Sequence, residues 1–408
     1  MNASRHTVTG SHDALLDSAR FTRRQGLRLL TALAATGVAA PALVGRALAQ
    51  DQMATPAATP VLGPQADGTN LWEVEVGGME MADQIDTHAF YPTELTIAAG
   101  DTIWFNFTPT GEPMFHTVTF TSGADVPPII IPDIQEGTPV ANDDGTPRFL
   151  INPVLAFPDG RTEYDGTGMV NSGLDVLRTE DQGPYMVTFP TPGSYEYVCG
   201  VHFAVMKGMV HVLEAGAELP LDVAGVQAQA DAQRATLLEE GRAALAEIEP
   251  AVGTPSTDDP NTWDVAAGVG GESRARVMQF VPREITIKVG DTVRWTNHQF
   301  AEPHTITFLG GTEPPEDVLI EPQDAGPPVL VQNTATFLPA GDTAFDGTGY
   351  TNSGFYGLPP DISEMFGLPI DGYSLMFTVA GEFPYYCILH AGGPEDEMGM
   401  AGTVIVEA

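Results

Sequence analysis

The sequence predicts an all-β protein of two β-sandwiches joined by a helical linker. Three observations carry that expectation. Glycine (44) and proline (34) together exceed a sixth of the 408 residues, which favours short strands between many turns. The chain repeats itself, with matching histidines and matching cysteines offset by 188 residues. Between the repeats, Val223 to Ile248 is rich in Ala, Gln, Glu and Leu and free of proline. It reads as a helix that Pro250 stops, with Leu237, Leu238, Leu245 and Ile248 as its apolar edge.

The apolar content of 43 % is sufficient for real cores. At the N-terminus, Thr22-Arg23-Arg24-Gln25-Gly26-Leu27-Arg28 precedes an apolar run from Leu29 to Leu43, and Ala47-Leu48-Ala49 is a small-x-small cleavage site. A twin arginine before a modest apolar run resembles a Tat-type export signal, which assigns residues 1–49 to the signal. The run is short for a membrane span, and no cysteine near the cleavage site offers a lipid anchor. The expected mature chain begins near Gln50, with no stable membrane insertion, and is exported to the periplasm, cell surface or medium. Residues 50–68, with repeated Ala-Thr-Pro, read as a flexible tether.

Charge narrows the partners. There are 17 basic and 54 acidic residues. Loss of residues 1–49 removes six arginines and two aspartates and leaves a formal charge of −41. Such a surface repels nucleic acid and steers basic proteins toward it; salt adaptation or solubility explains it equally well.

The repeats divide the chain into 69–214 and 263–408, with 215–262 as the linker. Phe90-Tyr91-Pro92-Thr93-Glu94-Leu95-Thr96-Ile97 and Gly100-Asp101-Thr102 match Phe280-Val281-Pro282-Arg283-Glu284-Ile285-Thr286-Ile287 and Gly290-Asp291-Thr292, each a strand, a Gly-Asp turn and a second strand. His116-Thr117 matches His304-Thr305, and Asn171-Ser172-Gly173 matches Asn352-Ser353-Gly354. His116 to Cys199 and His304 to Cys387 both span 83 residues. Matching motifs at matching spacing argue for duplication.

The two cysteines of the chain each open a similar loop. Cys199 is followed by His202 and Met206, and Cys387 by His390, Met398 and Met400. Thiolate, imidazole and thioether form a soft ligand set that suits copper better than zinc, magnesium or calcium. Blue copper centres take two histidines, a cysteine and a weak axial methionine. The chain supplies that pattern twice: His116, Cys199, His202 and Met206; then His304, Cys387, His390 and Met400. Met209 and Met398 are the rivals for the axial positions.

The shared Pro-x-Glu-[Leu/Ile]-Thr-Ile-x-x-Gly-Asp-Thr, the early histidine, Cys-x-x-His and a closing Met-x-Gly-x-Val resemble the cupredoxins of the plastocyanin, pseudoazurin and amicyanin branch. The resemblance implies Greek-key β-sandwiches, two type 1 copper ions and one-electron transfer between redox proteins, with basic partners such as cytochromes. It also implies that His202 and His390 present their ring edges as electron ports, ringed by Phe203, Val205 and Leu389. It places Tyr386 where plastocyanin has a surface tyrosine beside its cysteine. Residues 121–165 and 309–346 exceed the family's usual length and read as inserted loops.

An electron carrier rather than an enzyme is therefore expected. Two alternatives use the same residues. One is copper storage or delivery. The other is a nitrite-reductase-like enzyme with a type 2 site built from His88, His211 or His298 across a domain interface.

Overall fold

A computed structural model describes residues 60–107, 115–178, 182–299, 302–358, 360–370, 372–396 and 399–408. The expected signal and residues 50–59 of the expected tether lie outside these. Gly63 and Pro64 pair with Leu71 and Asn70, so the sandwich already begins inside the stretch read as tether.

In the first sandwich one sheet is built on Asn70–Val76, Thr102–Asn106 and Tyr185–Thr188. The facing sheet runs Val170–Asn171, Thr119–Phe120, Gly193–Val198, Lys207–Leu213, Glu94–Ala98. Alternating burial along Asn70–Val76 and Thr102–Asn106 turns Trp72, Val74, Ile103 and Phe105 inward, against Leu95, Ile97, Tyr197 and Val210. The second sandwich repeats the pairing. Thr262–Gly271 runs parallel to Thr292–Gln299, as Asn70–Val76 does to Thr102–Asn106. Glu284–Lys288 runs parallel to Ala401–Glu407, as Glu94–Ala98 does to Lys207–Leu213. Val265, Phe280, Trp295, Phe308 and Tyr385 fill this core.

The Gly-Asp turn shows why the motif needs an acid. Asp101, 2 % exposed, accepts from Asn70 N at 2.7 Å, Ala98 N at 3.1 Å and Trp72 Nε1 at 2.9 Å. Asp291 does the same for Lys288 N and Trp263 Nε1, both at 3.0 Å. Asp101→Ala strands the buried indole N–H and should cost about 3 kcal/mol in a denaturant titration. A cost below about 0.5 kcal/mol would show that the carboxylate is dispensable.

The helix occupies Val223–Ile248, capped by Asp222 accepting from Gly225 N at 2.9 Å. Its edge matches the expected one only in part. Val226, Ala230, Leu237 and Gly241 are its buried residues, while Leu238, Leu245 and Ile248 are partly buried. Gly241 lets the helix approach Ile85 and Ala275, which a Cβ there would meet at 3.1–3.3 Å.

The inserted loops find a purpose. Ile130–Pro132 and Phe149–Ile151 from the first insertion join Val329–Gln332 and Val318–Glu321 from the second in one four-stranded sheet. Phe149 pairs with Gln332 and Leu150 with Val331 across the junction. Arg148 donates to both Glu321 carboxylate oxygens, at 2.8 and 2.6 Å, and to Asp133 at 2.9 Å. Ile151 packs with Leu330, and Phe149 with Phe337. A second seam adds Ile85–Thr87 of the first half to Ala275–Val281 of the second. Together with the helix, these seams hold the ends that carry Cys199 and Cys387 toward each other.

Candidate metal centres

Each centre is assembled from a loop and a neighbouring strand. Val198 lies opposite Thr119, and Tyr386 opposite Thr307, which sets each cysteine beside the segment that follows its early histidine. The thiols are fully buried and accept from backbone: Thr117 N at 3.4 Å from Cys199 Sγ, Thr305 N at 3.3 Å from Cys387 Sγ. Thr117 Oγ1 accepts from Gly200 N at 2.7 Å, and Thr305 Oγ1 from Ile388 N at 2.9 Å, so each threonine clamps the residue after the cysteine. The clamp extends outward. Thr119 Oγ1 donates to Asn171 Oδ1 at 2.9 Å, and Ser172 Oγ accepts from Val118 N at 2.8 Å. Asn352 and Ser353 do the same in the second half. The Asn-Ser-Gly repeat thus fastens the histidine segment.

The three donors converge in both halves. Cys199 Sγ lies 3.8 Å from His116 Nδ1 and 3.6 Å from His202 Nδ1, and the two nitrogens are 3.1 Å apart. For Cys387, His304 and His390 the corresponding distances are 3.9, 3.3 and 3.2 Å. Donors about 2.0–2.3 Å from one ion in a trigonal plane stand roughly 3.5 Å from each other, so either triangle fits a single ion.

Met206 and Met400 are fully buried in the same core clusters as their cysteines. Both close their loops identically. Met206 N donates to His202 O at 2.8 Å and Cys199 N to Met206 O at 3.0 Å. Met400 N donates to His390 O at 3.0 Å and Cys387 N to Met400 O at 2.9 Å. Asp396 folds up the longer acidic loop, accepting from Gly392 N at 2.8 Å through its side chain and from Gly399 N at 3.2 Å through its backbone. Met209 sits on the returning strand opposite Glu196, and Met398 lies outside the described residues.

Glycines make room for the early histidines. A Cβ on Gly77 (φ 68°) or on Gly268 (φ 78°) would stand 2.3 Å from Nε2 of His116 or His304. His304 Nε2 meets Gln299 Oε1 at 2.9 Å.

Two expectations about exits are corrected. His202 and His390 do not present open ring edges: their side chains are 10 % and 16 % exposed. Both Nε2 atoms point at Glu302, at 3.7 Å from Oε2 for His202 and 2.9 Å from Oε1 for His390. The inserted loops and the added strand have turned the two loops inward. Phe203 stays exposed beside His202, whereas Leu389 is packed against the core. Tyr386 is 2 % exposed, packed with Ile388, Ala391 and Ala401, and is no surface tyrosine.

The remaining histidines divide. His211 is half-exposed and meets Ser194 Oγ at 2.9 Å; His298 is exposed, at the end of a strand rather than in a loop, and meets Thr296 Oγ1 at 2.8 Å. His88 is buried at the junction, with Nε2 3.5 Å from Asp86 and 3.7 Å from Glu302. His88, His202 and Glu302 each bring a donor atom within 4.8 Å of the others. The His88 and His202 rings are stacked, centroids 4.0 Å apart at 22°.

Burial sets the protonation. It pushes the His116 imidazolium down to about 4, and His304 and His202 well below the usual range, so all three are neutral. It also pushes the Cys199 thiol up. In the second triangle burial opposes charge, but Cys387 and Glu302 hold His390 protonated to about 10, and His390 in turn holds the Cys387 thiol down. Each triangle therefore carries one displaceable proton at neutral pH. Binding a metal should release about one proton per centre, and log Kd should rise with slope near one as pH falls from 7 to 5. A slope near three would mean that the imidazoles titrate like free ones.

Residues 78–213 match the family of copper-binding proteins of the plastocyanin/azurin type. The first sandwich is a cupredoxin domain. Plastocyanin of Chlamydomonas reinhardtii is 29 % identical over 144 residues, 35 % of this chain and 68 % of that protein. Plastocyanin of Scenedesmus fuscus is 29 % identical over 144 residues, 35 % of this chain and all of that protein. Among solved structures, an oxidised amicyanin mutant is 21 % identical and covers 38 % of this chain and 90 % of that one, at a TM-score of 0.20. The family match falls on the first sandwich alone, where Thr117, Asn171 and Ser172 hold the histidine segment.

Sequence reasoning gave no role to Gly77, Gly268, Thr117, Thr305 or Glu302, and offered His88 only as a ligand of an interdomain type 2 site. The first four recur at matching positions of the two halves, a signal that was present. Glu302 and His88 have no such signal, since their counterparts are Met114 and Met278.

Proposed function

We propose that this chain is an exported, duplicated blue copper protein that carries one electron at a time between redox partners, with one type 1 centre in each sandwich. His116, Cys199, His202 and Met206 hold one ion, and His304, Cys387, His390 and Met400 the other. The observation that carries this reading is the second triangle. The same three donor types stand 3.2–3.9 Å apart around Cys387, in the half that the family match does not reach.

A copper ion bound there supplies a Cu(II)/Cu(I) couple. The protein's part is to keep the donors where either oxidation state accepts them. His116, His202 and His304 stay neutral, the one proton held at each triangle leaves when a metal binds, and the threonine clamp and loop hydrogen bonds resist rearrangement. The acidic surface, with 54 acidic against 17 basic residues, suits basic partners such as cytochromes.

The test is an absorption and spin-resonance spectrum of the copper-loaded protein with copper counted. Two coppers per chain, both type 1, with reversible reduction, bear the reading out. One copper, or a colourless protein that binds Cu(I) and hands it over, overturns it, the latter in favour of delivery. A type 2 signal would favour an enzyme.

A further inference from the structure

A polar cluster of His88, Asp86, Arg276 and Glu302 lies buried where the two halves meet. The geometry points to Glu302 as a bridge that ties His202 to His390 and makes the two centres one internally communicating pair. This rests on the copper reading above.

Glu302 is 3 % exposed and stands two residues before His304, so the backbone of the second centre fixes it. Its Oε1 accepts from His390 Nε2 at 2.9 Å, a full hydrogen bond. Among the described residues its Oε2 has no hydrogen-bond partner, and it lies 3.7 Å from Nε2 of both His202 and His88. Each loop histidine turns Nδ1 toward its cysteine and Nε2 toward this one carboxylate. The link from one metal triangle to the other is thus imidazole, carboxylate, imidazole, with no intervening chain.

The surroundings hold it in place. His88 stacks on His202 at 4.0 Å between centroids and fixes that ring. Asp86 lies 3.5 Å from the same His88 Nε2. Arg276, wholly buried and paired in register with Asp86, supplies a positive charge among the two carboxylates and donates to Gly271 O at 2.8 Å. A buried carboxylate is costly unless its charge is compensated. A carboxylate kept between two ligand histidines, with a dedicated guanidinium nearby, is more than packing requires. His88 and Glu302 have methionine counterparts in the other half, so the bridge arises only where the halves meet.

The exchange balances simply. One centre loses one electron as the other gains it, no bond forms or breaks, and no proton moves. His88 is a positioning residue for His202, and Glu302 for both loop histidines.

Copper count and blue absorbance are measured first; if two type 1 coppers are not found, the copper reading has failed and the bridge is not what failed. With two coppers present, three measurements test the bridge. The oxidised protein should show dipolar broadening between Cu(II) ions that disappears in one-copper Cys387→Ser; its absence overturns the juxtaposition in the unmodified chain. In the diamagnetic Cu(I) protein, the His390 Nε2 proton should be shifted downfield and protected from exchange, and Glu302→Leu should abolish both; an unchanged resonance overturns the bridge. A Met400→Leu background separates the two centres in potential. Pulse reduction should then reveal a first-order redistribution independent of protein concentration. Glu302→Leu should slow that phase at least tenfold, and Glu302→Gln, which keeps the length and the acceptor oxygen, should slow it less. A phase that scales with concentration, or one equally fast in Glu302→Leu samples holding two coppers, overturns the proposal.

Discussion

Cys199→Ser should remove one of two coppers and about half of the blue absorbance. The thiolate is the donor that makes such a centre blue, and a serine hydroxyl is a hard, protonated substitute for it. The second triangle draws no donor from the first: His304, Cys387 and His390 all belong to residues 263–408. Its loop is closed by its own hydrogen bonds from Met400 and Cys387. The residual spectrum should therefore be that of the second centre, and Cys387→Ser should leave the complementary half. Loss of all colour from either variant would mean that the centres are not independent in binding, and loss of none would mean that the altered centre never held copper.

Gly268→Val should empty the second centre while the first keeps its metal. The valine Cβ would meet His304 Nε2 at 2.3 Å and Gln299 Oε1 at 2.7 Å, at a backbone φ of 78°. The first contact cannot relax without withdrawing the imidazole from the triangle, and a β-branched residue is poorly tolerated at that φ. A destabilisation of at least about 3 kcal/mol is expected by thermal or denaturant unfolding, with one copper per chain instead of two. Gly271→Asn is the control. That glycine also has positive φ (56°), but no described residue stands within 4 Å of its Cβ position, and asparagine accepts the conformation. If Gly268→Val binds two coppers, the close approach of Gly268 to His304 is not what shapes the centre.

The strands and the donors were legible because each rests on a local pattern. Alternation along Glu94–Ala98 and Glu284–Lys288, the Gly-Asp turns and the Cys-x-x-His loops are set by neighbouring residues. The helix was legible to the residue, since Asp222 and Pro250 bracket Val223–Ile248. Its contact face was less so. The face shifted toward Val226, Ala230 and Gly241 because small residues let the helix sit close against strands that sequence could not place there. Two carried-over expectations failed for different reasons. A family pattern for a single sandwich describes open loop ends, whereas here His202 and His390 both turn toward Glu302 at the junction of the halves, and Tyr386 is packed among Ile388, Ala391 and Ala401 of its own half.

The sequence by itself determined the two donor sets, because cysteine, histidine and methionine at that spacing fall on one loop in any sandwich of this kind. It also determined the turns and caps, whose hydrogen bonds close within a few residues. Only the tertiary structure decided that the two centres face each other. That arrangement depends on Leu150 pairing with Val331 and Ile85 with Val277, contacts between segments 181 and 192 residues apart in sequence. The bridge at Glu302 follows from it. A lone glutamate before a histidine carries no local signal, and its meaning comes from the second imidazole that the fold brings to its other oxygen.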